Sequence, residues 1–189
     1  MQTHHPPTGP LQFSEVILRT SRYEEMKAWY LRLLGMDAPS FETVTEGRLL
    51  SVPEVTRLCF LRIHFQYPLS QTLGIFEVRA LHAPQRQQPG LDHVQLRETS
   101  LENLARRYEA LQAGNLLPTR CYNHGPGTSF YYTDPDGNEI EMSAANFDTE
   151  AEYLAFFGTE EYRNNVEGHP VDPQVRIRQI RGHAPLAGR

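Results

Sequence analysis

Cysteine is scarce: Cys59 and Cys121 are the only two in 189 residues. So few give no disulfide framework, and without a secretory leader they read as free thiols in a reducing compartment. Basic excess is missing as well. Lys and Arg number 18 against 23 Asp and Glu, and the net charge of −5 leaves nothing to neutralise phosphates. Nucleic acid and acidic membranes are therefore not expected partners. No apolar run approaches the roughly 20 residues that a membrane-spanning helix needs. The first ten residues, MQTHHPPTGP, hold no apolar segment of a signal peptide. Phosphate loops, zinc-finger spacings and a nucleophile–His–acid order are also absent. What is there suits a cytoplasmic globular protein, with 39% hydrophobic and 22% charged residues.

A repeat organises the chain. EVILRT (15–20) reads as a strand, Ser21 and Glu24 as a capping box, and Met26, Trp29, Tyr30, Leu33 and Leu34 recur at helical spacing before Gly35. HVQLRE (93–98), Thr99 and Glu102, then Leu101, Leu104, Tyr108 and Leu111 before Gly114 repeat the pattern. Strand-like runs follow each helix: FETVT (41–45), RLLSV (48–52), LCFLRIHF (58–65) and GIFEVRAL (74–81), then LLPTRCYN (116–123), SFYYTD (129–134) and NEIEMSA (138–144). The expected fold is α+β, two β-α-β-β-β modules whose curved sheets form a cup around a metal site, with a C-terminal helix and tail. The expected divisions are a flexible leader (1–10), a first module (11–80), a linker (81–90), a second module (91–147) and a C-terminal helix and tail (148–189). The helix is placed at about 149–157, the rest of the tail is irregular, and its last dozen residues are expected to be mobile.

Overlaying the repeats pairs Glu15 with His93 and Glu77 with Glu141. Residues i and i+2 of a strand share a face, so Glu139 and Glu141 point together, away from Ile140 and Met142. With Ile140 and Met142 under the helices, the glutamates face the cup, Glu139 at its rim and Glu141 deeper. A carboxylate buried there needs a partner or a cation. His93 and Glu141 are the leading metal ligands, Glu15 is a third and Glu77 a possible fourth. Trp29, Tyr30, Phe130 and Tyr132 read as core, and DPDGN (134–138) as turn chemistry.

LDHVQL, NHGPGTSFYYTDPDGNEIEM and FSEVILRTSRYEEMKAWYLRLLG resemble the vicinal oxygen chelate superfamily, which includes glyoxalase I, bleomycin and fosfomycin resistance proteins and type I extradiol dioxygenases. The resemblance is nearest to small extradiol-dioxygenase-like proteins and covers about residues 11–173. It implies a divalent metal, Fe(II) first and Mn(II) as the alternative, held by two histidines and a glutamate, with a catechol-like aromatic and O₂ as co-substrates. His93 and Glu141 match the second histidine and the glutamate. Tyr131 matches a tyrosine beside the substrate oxygens, and His124 a polar group facing the ring; these two are the expected catalytic residues. Tyr122 and Asn123 are expected substrate contacts. Glu15 stands where that family has its first histidine, which makes the cation more neutral and a weaker Lewis acid. The expected activity is extradiol ring cleavage by a homodimer. The alternatives are a glyoxalase- or epimerase-like isomerase or lyase, with Glu15 or Glu77 moving a proton, and a non-catalytic small-molecule binder.

Overall fold

A computed structural model describes residues 13–45, 54–79, 81 and 90–182. The expected leader (1–10), the RLLSV strand (48–52) and nearly all of the linker lie outside the described residues. The chain divides into two compact units, Met1–His82 and Ala83–Arg189. Each is a mixed α+β layer built on the same β-α-β-β-β plan.

In the first unit β1 (Glu15–Thr20), α1 (Tyr23–Leu34), β2 (Phe41–Val44), β3 (Val55–Gln66) and β4 (Leu69–Val78) form a sheet ordered β1-β4-β3-β2. β1 runs parallel to β4, and the other pairs are antiparallel. The apolar stripe of α1 buries Met26, Trp29, Tyr30 and Leu33, and Gly35 ends the helix in the left-handed conformation. Its start departs from the expected capping box. Arg22 is the N-cap, its N–H bonded to Thr20 Oγ1, while Glu24 is drawn away to Lys27 and Arg57. Two cations hold that carboxylate better than one backbone N–H would.

The second unit repeats the order with β5 (His93–Arg97), α2 (Leu101–Ala113), β6 (Arg120–Asn123), β7 (Gly127–Thr133) and β8 (Glu139–Ala145). α2 buries Leu104, Ala105, Tyr108 and Leu111. Its N-cap is Ser100, which accepts from the Asn103 N–H, one residue beyond the expected Thr99. Residues 116–119 precede the strand instead of joining it, as Pro118 without an N–H would suggest.

The tail is more ordered than its composition suggests. After α3 (Glu150–Phe156) come α4 (Glu160–Asn164), β9 (His169–Pro170) and α5 (Pro173–Arg181). β9 adds to the edge of β6, which gives the order β5-β8-β7-β6-β9. α5 starts with Asp172 capping Val175 and Pro173 in the first turn. It sets the buried Arg176 against Thr128 Oγ1 (2.7 and 3.0 Å) and Asn146 Oδ1 (2.9 Å). Arg178 to Arg181, expected to be mobile, close this helix, and residues 183–189 lie outside the described residues. Among the described residues no helix is long and apolar enough to cross a membrane.

Strand register relates the units more closely than sequence overlay can. Glu15 pairs with Thr72 as His93 pairs with Glu139, so Glu15 and His93 are true counterparts. Gln95 pairs with Glu141, and the matching pair in the first unit is Ile17 with Gly74. The counterpart of Glu141 is therefore Gly74, not Glu77. A Cβ at Gly74 would collide with Ile17 and stand 3.1 Å from Phe60, so apolar side chains fill this position.

Candidate metal centre and acid–base pair

The face of the second sheet opposite α2 is polar. His93, Gln95 and Arg97 of β5 lie beside Glu139, Glu141 and Ser143 of β8, then Ser129 and Tyr131 of β7, then Arg120 and Tyr122 of β6. The other face holds Phe130, Tyr132, Ile140 and Met142, all buried, and Phe130 meets Tyr108 of α2. Period-two alternation thus separates core from chemistry, as expected from SFYYTDPDGNEIEM.

Glu141 is 4% exposed. Its Oε1 accepts from Gln95 Nε2 (2.6 Å) and Ser129 Oγ (2.5 Å), while Oε2 lies 3.0 Å from His93 Nε2. Both donors on Oε1 are uncharged, so the buried negative charge is not neutralised by them. The other ring nitrogen of His93, Nδ1, lies 2.7 Å from Asp92 Oδ2. A neutral imidazole carries one proton and cannot satisfy two carboxylates. With Nδ1–H given to Asp92, the Nε2 lone pair faces Glu141 Oε2, two acceptors in contact with no proton between them. A cation there, or a second proton on the ring, resolves the conflict.

Asp92, His93 and Glu139 also bring ligand atoms within 4.8 Å of one another. Glu139, expected at the rim, is buried and carries the Arg120 guanidinium, whose charge already compensates it. Glu141 is therefore the better partner for a cation. Arg120 also lies 3.8 Å above the Tyr131 ring.

Tyr131 Oη lies 3.0 Å from His124 Nε2, within hydrogen-bond distance, and His124 Nδ1 contacts the Glu167 carbonyl. Tyr122 stacks on His124, ring centroids 5.5 Å apart and 9° from parallel. Burial, then the Glu141 charge, pushes the Tyr131 phenol up to about 12, so it stays protonated at neutral pH. Asn123 alternates to the other face, where its Oδ1 accepts from Gly125 N–H and Asn146 Nδ2. Its amide thus shapes the loop, not the polar face where a substrate contact was expected.

Two residues of the first unit complete the expected set. Glu15 is exposed and borders a shallow pocket of ≈ 180 Å³ with Ser40, Phe41, Phe60, Arg62 and Thr72. Glu77 lies on the face packed by α1. It pairs with Arg57 (3.2 Å) and accepts from Thr56 Oγ1 (2.9 Å), which occupies both carboxylate oxygens. Asp92, Gln95, Ser129 and Arg120 were not singled out from the sequence. Counting by twos from His93 and Tyr131 finds Gln95 and Ser129.

Cys121 faces the core, and burial pushes its thiol up to about 12. Ordinary values for Cys and Tyr are 9.0 and 10.0, so between them and about 12 the folded chain holds protons that the unfolded chain has lost. Their contribution is full below pH 9 and is lost as pH rises toward 12. Urea midpoints are expected to fall from pH 9 upward, less steeply in Cys121→Ala. A flat profile to about pH 11 would contradict this.

Residues 12–142 match the sequence profile of the Glyoxalase/Bleomycin resistance protein/Dioxygenase superfamily. The chain is 34% identical over 179 residues to biphenyl-2,3-diol 1,2-dioxygenase 2 of Rhodococcus globerulus, covering 95% of this chain and 86% of that protein. It is 27% identical to biphenyl-2,3-diol 1,2-dioxygenase 3 of the same organism, covering 92% and 84%. In fold it is similar to a glyoxalase/bleomycin resistance protein/dioxygenase domain from Frankia sp. EAN1pec. That match has a TM-score of 0.57 at 16% identity and covers 72% of this chain and 99% of that one. The chain belongs to the glyoxalase/bleomycin resistance/dioxygenase superfamily.

Members of this superfamily imply a divalent cation, and the donor chemistry of this face fits one. An imidazole nitrogen and a carboxylate oxygen are donors of the kind that would hold such an ion. His93 Nε2 and Glu141 Oε2 are 3.0 Å apart. Asp92 on the far ring nitrogen and the two donors on Oε1 are the outer contacts that orient such ligands.

Proposed function

We propose that this protein is an Fe(II)-dependent extradiol dioxygenase that inserts both atoms of O₂ into the ring of a catechol-type aromatic diol, a biphenyl-2,3-diol being the first candidate. The observation that carries the reading is the pairing of His93 Nε2 with Glu141 Oε2 on the same face as the Tyr131–His124 hydrogen bond. Its support from relatives is the 34% identity over 95% of the chain to a biphenyl-2,3-diol dioxygenase. His93 and Glu141 would hold the metal, which supplies a Lewis acid that brings diol and O₂ together. Mn(II), also compatible with these donors, is the alternative.

The chain's own residues handle protons. Tyr131 O–H donates to His124 Nε2, which leaves its oxygen lone pairs for a substrate hydroxyl. As that hydroxyl loses its proton, Tyr131 receives it and passes its own to Nε2. Arg120 above the Tyr131 ring favours any transient negative charge on the phenol. Tyr122, stacked on His124, supplies an aromatic surface beside them. Of the two carboxylates the isomerase alternative would use, Glu77 is held by Arg57 and Thr56 and Glu15 is exposed.

Two free, buried cysteines suit a cytoplasmic location, and the homodimer is checked by sedimentation velocity. Fe(II)-loaded protein is expected to consume O₂ with 2,3-dihydroxybiphenyl or a smaller catechol and to give a yellow ring-opened product. No uptake across such a panel would remove the reading. The part of Glu15 in cation binding is tested separately: if it is a ligand, Glu15→Ala binds the cation more weakly and Glu15→His restores binding. Metal content after dialysis measures both.

A further inference from the structure

We infer that the C-terminal segment around Gly168 is a positioning element that fixes the tautomer of His124. A backbone carbonyl has no proton to give, so the contact between Glu167 O and His124 Nδ1 places the hydrogen on Nδ1. Nε2 is then the lone pair that receives the Tyr131 hydroxyl at 3.0 Å. With the opposite tautomer, Nε2–H would point at the phenol, and the Tyr131–His124 pair could not accept a proton from a substrate. The rate consequence rests on the oxygenase reading; the tautomer does not.

The segment is built for this approach. Asn165 clamps the turn with Oδ1 on Gly168 N–H (3.0 Å) and Nδ2 on Gly168 O (2.9 Å). Gly168 has φ +83°, and a Cβ there would run into Asn123 O and stand 2.5 Å from His124 Cα. Only glycine lets the two backbones lie this close while adopting that φ. Beyond it, His169 pairs with Asn123 and Pro170 with Tyr122, and Val171 N–H donates to Cys121 O (3.0 Å). On the other side of His124, Asn146 Nδ2 holds Gly125 O and Asn123 Oδ1 at 2.8 Å each, and Arg176 holds Asn146 Oδ1 at 2.9 Å. The tail therefore grips the histidine loop from both ends.

The test is long-range ¹H–¹⁵N correlation on metal-free, full-length protein labelled at histidine, with the His124 signals assigned from a His124→Gln variant. The expected spectrum shows Nδ1 protonated and Nε2 unprotonated. Gly168→Ala and Asn165→Ala are each expected to lose that pattern and to lower kcat by about tenfold or more, with KM little changed. Val166→Ala in the same segment, whose side chain is 64% exposed, is expected to change neither. A wild-type spectrum with Nε2 protonated overturns the inference, as does retention of the wild-type pattern in both variants. Should Gly168→Ala fail to fold, Asn165→Ala decides. The expected spectrum without any oxygen uptake would remove the oxygenase reading and leave this inference standing.

Discussion

Replacing Glu141 with glutamine is expected to abolish cation binding while leaving the fold intact. Glutamine has the same shape, so its amide oxygen can take the Oε1 position and keep the bonds from Gln95 and Ser129. Its NH₂ group then points at His93 Nε2 and caps the lone pair a cation would use. The metal-free protein also loses a buried charge, which costs free energy when unpaired. Metal-free Glu141→Gln is therefore expected to melt at or above the wild-type temperature. Saturating Fe(II) or Mn(II) should raise only the wild-type melt, by the equivalent of about 2.7 kcal/mol at a hundredfold excess over Kd. Ring cleavage is expected to fall more than about a hundredfold, the upper range for losing a mere outer contact of a metal ligand. A Glu141→Gln protein that keeps one tightly held cation per chain would remove Glu141 from the centre.

His124→Gln is expected to separate chemistry from binding. His124 meets this face through Tyr131 and Tyr122. Cation content and the cation-induced rise in melting temperature should stay at wild-type values. kcat is expected to drop about a hundred- to a thousandfold, the range for losing a positioned acid–base group. Tyr131→Phe should drop kcat in the same direction, and the double variant should cost little more than either single one if, as proposed, the pair moves one proton as a unit. Full additivity of the two losses would show that they act independently.

The contrast between these variants follows from how the face is wired. Glu141 has one oxygen held by neutral donors and the other directed at an imidazole. His124 has one nitrogen held by a carbonyl and the other directed at a phenol. In each case the side chain is fixed through one atom, which leaves the second directed at a neighbouring ring.

Much of this was legible in the chain. Apolar residues at helical spacing marked α1 and α2, and alternation in SFYYTDPDGNEIEM separated Phe130, Tyr132, Ile140 and Met142 from Tyr131, Glu139 and Glu141. Period and polarity are local properties, so a single strand reveals them. The pairing of Glu77 with Glu141 was not recoverable, because overlaying two repeats by eye fixes no register and strand pairing does. The three-residue offset to Gly74 reverses the face and turns a candidate ligand into the partner of Arg57. The capping boxes slipped for a related reason: Glu24 and Ser100 answer to neighbours that sequence spacing does not display.

The sequence by itself determined the two-module plan, the buried carboxylate at Glu141 and the histidine at the head of β5, since residue type and periodicity carry that information. Only the tertiary structure decided what completes them. Gln95 on Glu141, Arg120 on Glu139, and the tail's carbonyl on His124 join residues 19 to 46 positions apart. Such contacts depend on where folded backbones come to rest, and a composition-poor tail becomes ordered only because a sheet edge and a buried arginine site await it.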